Sequence, residues 1–231
     1  MNDARTTQTQ ALCRHLGELK DLRGPGREPP QRLTEVKAWQ SQRLARTYAD
    51  MQSRPRYRDA TRFFLEDLYG PKDFSSRDQE MMRVLPVMTR MLPESAVETA
   101  ALAIELEAIS EALDQRLAAA LRPGPIDESS YGEAYRASST RPEREHQIDL
   151  IVGVGRRLDA LVRKPLVART LKLMRKPARM AGLADLQEFL ECGFEAFRAM
   201  DGADEFLAIV REREGAILSR LFSSAPEPFS V

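Results

Sequence analysis

The chain has 231 residues, 42% hydrophobic and 30% charged, with 35 basic and 35 acidic side chains and a formal net charge of zero. A chain of this length can bury a core without disulfide or metal support. The charge balance excludes a global pull toward nucleic acid or lipid, so any such role falls to a local patch.

Cys13 and Cys192 are distant from each other and read as reduced thiols of a cytoplasmic protein. The residues after Met1 carry no apolar signal core, and no apolar run is long enough to span a bilayer, so no transmembrane segment is expected. Only six of the 35 basic residues are lysine, leaving 29 arginines. Guanidinium forks suit phosphate, but a GC-rich coding sequence gives the same skew.

Helix formers dominate throughout, and no alternating run bounded by hairpin turns reads as a strand. Residues 6–22 suit a short helix, and the Gly- and Pro-rich break at 23–30 makes residues 1–30 a loosely attached arm. Residues 31–53 place Leu33, Val36, Trp39, Leu44, Tyr48 and Met51 near one helical face. A helix over 57–69 carries Phe63, Phe64, Leu65 and Leu68 and stops at Gly70-Pro71. Ser75 or Ser76 caps the next helix, which Pro86 kinks.

The longest helix is expected over 93–121, with Pro93 in its first turn and a core face from Val97 to Leu117. A short helix near 131–136 precedes one over 141–163 that Thr140 caps. A basic helix follows over 165–181, interrupted at Pro177, and then apolar stripes over 184–200 and 203–222. The reading is an all-α protein: one irregular bundle of seven to nine helices over 31–223, without a sheet, ending in a flexible tail at 224–231.

Motifs for chemistry are sparse. Glu143-x-x-His146 has the spacing of one half of a di-iron carboxylate site, but the other histidine, His15, has no glutamate three positions before it. Both this spacing and His146 as an axial haem ligand are set against the charged neighbours Arg141, Arg144 and Glu145, which read as solvated surface. There is no nucleophile elbow and no glycine-rich phosphate loop, so no catalytic residue, metal or cofactor is assigned. An aromatic pocket walled by Phe63, Phe64, Tyr69 and Phe194 is one candidate site.

The strongest electrostatic feature is the stretch 156–179, with nine basic residues against Asp159. Within it Leu166, Val167, Thr170, Leu171 and Met174 share a face, and Arg169, Lys172, Lys176 and Arg179 fall mainly opposite. Arg169, Lys172, Arg175 and Lys176 are therefore a candidate anion-binding set for lipid headgroups or phosphates. No aromatic residue is present there for base stacking, so specific nucleic-acid binding is not expected. Residues 185–214 carry nine acids and three arginines, a counter-charge within the molecule or in a second copy.

Phe63-Phe64-Leu65-Glu66-Asp67-Leu68-Tyr69 resembles the signature of the bacterial FFLEELY-motif family, with Asp67 where that motif has glutamate. Leu85-Pro86-Val87-Met88, Arg90-Met91-Leu92-Pro93 and Phe189-Leu190-Glu191 extend the resemblance over about residues 31–222. It implies an uncharacterised helical protein and brings no catalytic or binding residues with it. The functional expectation is interaction with protein or self-association as a homodimer. Alternatives are a ligand pocket or enzyme site beside Phe63–Tyr69, and an anionic surface bound through 163–179.

Overall fold

The computed structural model describes residues 2–24, 30–68, 80 and 94–231. Its helices are α1 (Asn2–Arg23), α2 (Gln31–Thr47), α3 (Ala49–Ser53), α4 (Arg58–Phe63), α5 (Glu94–Ala120), α6 (Glu128–Ser138), α7 (Arg141–Val162), α8 (Pro165–Met180), α9 (Ala184–Ala199) and α10 (Asp204–Phe222). No strand occurs among the described residues, so the all-α reading holds. The expected stop at Gly70-Pro71, the cap at Ser75 or Ser76, the kink at Pro86 and the turn at Pro93 lie outside the described residues, as does Tyr69.

The 27-residue α5 is the central member and touches α1, α2, α6 and α7. Residues 2–23, read from the sequence as part of an arm, form α1, which lies along α5. Leu12 and Leu16 pack there with Val97 and Ile104. A second cluster joins Val36, Leu117, Tyr131, Tyr135 and Leu218, with Trp39 stacked on Tyr131 at 4.2 Å. Phe229 of the C-terminal segment closes this cluster edge-on to Trp39.

The third and largest cluster gathers Tyr48, Met51, Tyr57, Phe197, Met200, Phe206 and Leu207. The aromatic segment delivers the Phe64 ring here. α4 passes into a π-helical turn over Phe64–Leu68, and the two phenylalanines diverge. Phe63 meets Phe189 at 5.3 Å, and Phe64 stacks on Phe206 at 5.6 Å. Gly193 allows Phe63 this close, since a Cβ there would lie 2.7 Å from the Phe63 ring.

Charged groups on one helix are paired with groups on another. Glu214 of α10 accepts from Arg43 Nη1 at 2.6 Å and from Tyr48 Oη at 2.9 Å. Burial alone would weaken the Arg43 charge, but Glu214 outweighs it and holds the guanidinium protonated. At the α2–α3 break, Arg213 donates to the Thr47 carbonyl and grips Asp50 through both carboxylate oxygens. It thereby satisfies one of the carbonyls that end a helix.

Thr140 caps α7 as the sequence indicates, in a reciprocal box with Glu143. The Thr140 backbone N–H, and then Arg116, pull the Glu143 carboxyl down to about 2 from an ordinary value of 4.5. Its stabilisation is therefore complete above pH 4.5 and lost as pH falls toward 2. Thermal melts should show Glu143→Gln nearer to wild type in midpoint at pH 2 than at pH 7.

Gly193→Ala should cost about 1–3 kcal/mol in chemical denaturation because the Phe63 ring must move. Gly215→Ala in α10, with nothing within 4 Å of the new methyl, should be neutral or gain up to about 1 kcal/mol of helix propensity. Equal effects at the two sites would contradict this packing.

Candidate interaction surface

α8 and α9 form an antiparallel helical hairpin whose turn is set by glycine. Gly182 has φ of 69°, a left-handed conformation that costs other residues about 1–2 kcal/mol. The Leu183 N–H reaches the Ala178 carbonyl and the Gly182 N–H reaches that of Arg179, so α8 ends in a Schellman motif. Pro165 opens α8 in its first turn. The interruption expected at Pro177 is absent: α8 runs through it to Met180.

One face of α8 packs inward. Ala178 is buried, and Val167 and Leu171 are half-buried on the same side. Toward α9, Arg175 grips Glu191 bidentately, with Nε at 2.7 Å from Oε1 and Nη2 at 2.7 Å from Oε2. Gln187 of α9 donates to the Leu171 carbonyl at 2.8 Å and to Glu191 at 2.6 Å. The Arg175 hydrogen bond holds the Glu191 carboxyl below the usual carboxylate range. Between Ala168, Lys172, Phe194 and Glu195 this seam leaves about 20 Å³. That is room for one water, far below the several hundred Å³ of a ligand pocket.

The outward face is organised in rows. Arg169, Lys172, Lys176 and Arg179 form a basic row, all exposed and without an ion-pair partner among the described residues. Beside it Leu166, Leu173 and Met180, seven residues apart, form an apolar ridge that is 66%, 76% and 90% exposed. Four of the five large apolar side chains exposed among the described residues lie on α8, the fourth being Met174. Across the seam, α9 turns Glu188 and Glu195 outward as an acidic row, with Cys192 and Ala199 exposed beyond it.

The basic set from the sequence is thus split by geometry. Arg175 is committed to Glu191, whereas Arg169, Lys172 and Lys176 face solvent. Of the aromatic set, Phe63 and Phe64 lie in packed core, Phe194 is half-buried over the seam, and Tyr69 is outside the described residues. Glu188 and Glu195 were legible only as members of an acidic block. Their seven-residue spacing, which matches that of the ridge, is the signal that separates them from Glu191.

The histidine readings meet different surroundings. His146 is half-exposed, with Nε2 at 3.7 Å from Glu105, and His15 Nε2 lies 4.0 Å from the other oxygen of the same carboxylate. Arg14 Nη2 sits 3.3 Å from that His15 nitrogen. Among the described residues no group of three ligating side chains is arranged to hold a metal ion. Arg144, read from sequence as part of a charged surface turn, is buried with its guanidinium 4.1 Å over the Tyr135 ring.

If α8 is rotated as described, Leu173→Ser should change stability by less than about 0.5 kcal/mol, as surface substitutions do. Ala178→Glu should cost about 2 kcal/mol or more by placing a carboxylate in apolar surroundings. Denaturant midpoints of the two variants check this, and a reversed order would contradict the rotation.

No curated protein and no solved structure matches the chain. No helix among the described residues is long and apolar enough to cross a membrane. The model of one family, described as a domain of unknown function (DUF8198), matches residues 22–228. The match covers the aromatic heptapeptide, the α8–α9 hairpin and the C-terminal cluster, and leaves most of α1 outside. The chain belongs to the DUF8198 family.

Proposed function

We propose that this protein acts by docking onto another protein chain through the outward face of the α8–α9 hairpin. The observation that carries this reading is the exposed ridge of Leu166, Leu173 and Met180 running beside four cations that have no ion-pair partner among the described residues. Single exposed apolar residues are ordinary, but a contiguous set rimmed by charge marks a recognition surface. The same face has mixed sign. Glu188 and Glu195 stand beside the basic row and would be set against anionic headgroups, which favours a protein partner over a lipid surface.

A photo-crosslinking residue in place of Leu173 tests the reading in the cells that make the protein. Irradiation should give discrete protein adducts that are absent when the same residue replaces exposed Glu133. Adducts from both positions alike, or from neither, would overturn it. So would co-sedimentation of the wild-type protein with vesicles of anionic lipid that is lost in Lys172→Glu/Lys176→Glu.

A further inference from the structure

We infer that the partner of this face is a second copy of the chain, related by a two-fold axis parallel to α8 and α9. The inference rests on the docking reading above. The hairpin carries both signs in separate rows, Glu188 and Glu195 on α9 and the cations on α8, with the Arg175–Glu191 seam between them and exposed Arg198 at the C-terminal end of α9. A two-fold contact places the same patch on both copies, so a face can meet itself only if the operation brings unlike rows together. A two-fold perpendicular to the helices, lying in the contact plane, would put acid on acid and base on base. A two-fold along the helices exchanges left and right, and sets each acidic row over the other copy's basic row.

The levels along the helices agree with this operation. Lys172 and Glu195 line the same small cavity, and Arg175 pairs with Glu191, so these residues stand at matching heights. Glu188, one turn nearer the hairpin bend than Glu191, is then level with Lys176 and Arg179. After the rotation Lys172 of one copy faces Glu195 of the other, and Lys176 and Arg179 face Glu188. The apolar ridge falls opposite Cys192 and Ala199, small exposed residues that leave room for Leu173.

Self-pairing of α8 with α8 is excluded by charge. Residues 160–184 contain no acid, and like charges placed opposite each other repel. The two short helices offer a contact at the small end of specific interfaces, so the association is concentration-dependent and weakened by salt.

The experiment is light scattering on the full chain as a function of concentration and ionic strength. At low salt the mass should rise from 26.1 kDa toward twice that value, and it should return to the monomer as salt is added. Lys172→Glu/Lys176→Glu and Glu188→Lys/Glu195→Lys should each remain monomeric with unchanged helical circular dichroism. An equimolar mixture of the two should associate again, because their rows are complementary. A wild-type protein that stays monomeric at millimolar concentration would overturn the inference, as would a mixture that fails to associate. A monomer whose Leu173 position still cross-links to a different protein would overturn the second copy alone and leave the docking reading standing. A dimer indifferent to both double variants would place self-association elsewhere and overturn the inference.

Discussion

The rotation of α8 about its own axis decides what this protein presents to its surroundings. An apolar arc from Leu166 to Leu171 is wider than the surface that α7 and α9 offer it, so only part of it can be buried. Ala178, Leu171 and Val167 take the inner side, and the Gln187 and Arg175 contacts with α9 hold that choice. What remains outside is a straight ridge and a row of cations. A turn of the helix by one residue, about 100°, would bury the ridge in one sense and drive the cations toward the core in the other. The ion pair contributes little energy at such an exposed position; its effect is to fix register.

The interior handles charge differently. Glu214 holds both Arg43 and Tyr48, and Lys37 and Arg23 converge on the buried Glu111. Buried ions of one helix are thus answered by ions of another, as the cost of leaving a charge unpaired in a core requires. The outer row of α8 receives no such answer within the described residues. Contrast between a paired interior and an unpaired outer face of mixed sign is what gives the hairpin its functional reading.

Much of this was legible in the sequence. Apolar spacing and proline positions place the helices from α5 to α10 within a few residues, because regular amphipathic helices with local caps are determined locally. Thr140 and Glu143 show it well, since the box is written within four residues. The π turn at Phe64–Leu68 was not legible, because it depends on where Phe189, Gly193 and Phe206 stand in space. Arg144 was misplaced for a similar reason: its neighbours are charged, but Tyr135 and Ser139 from the preceding helix and its end fold over it. The basic helix was plain from composition. Which cation is consumed, and which acids stand outside, required the α8–α9 register.

Thiol labelling of single cysteines placed from residue 166 to 180, with Cys13 and Cys192 replaced by serine, tests this account most directly. In dilute protein, positions 166, 169, 173, 176 and 180 should react rapidly, and 171 and 178 slowly, a pattern with helical period. Protection of 166, 173 and 180 in the dilute monomer would mean that the ridge is already covered within the chain, and would contradict the account.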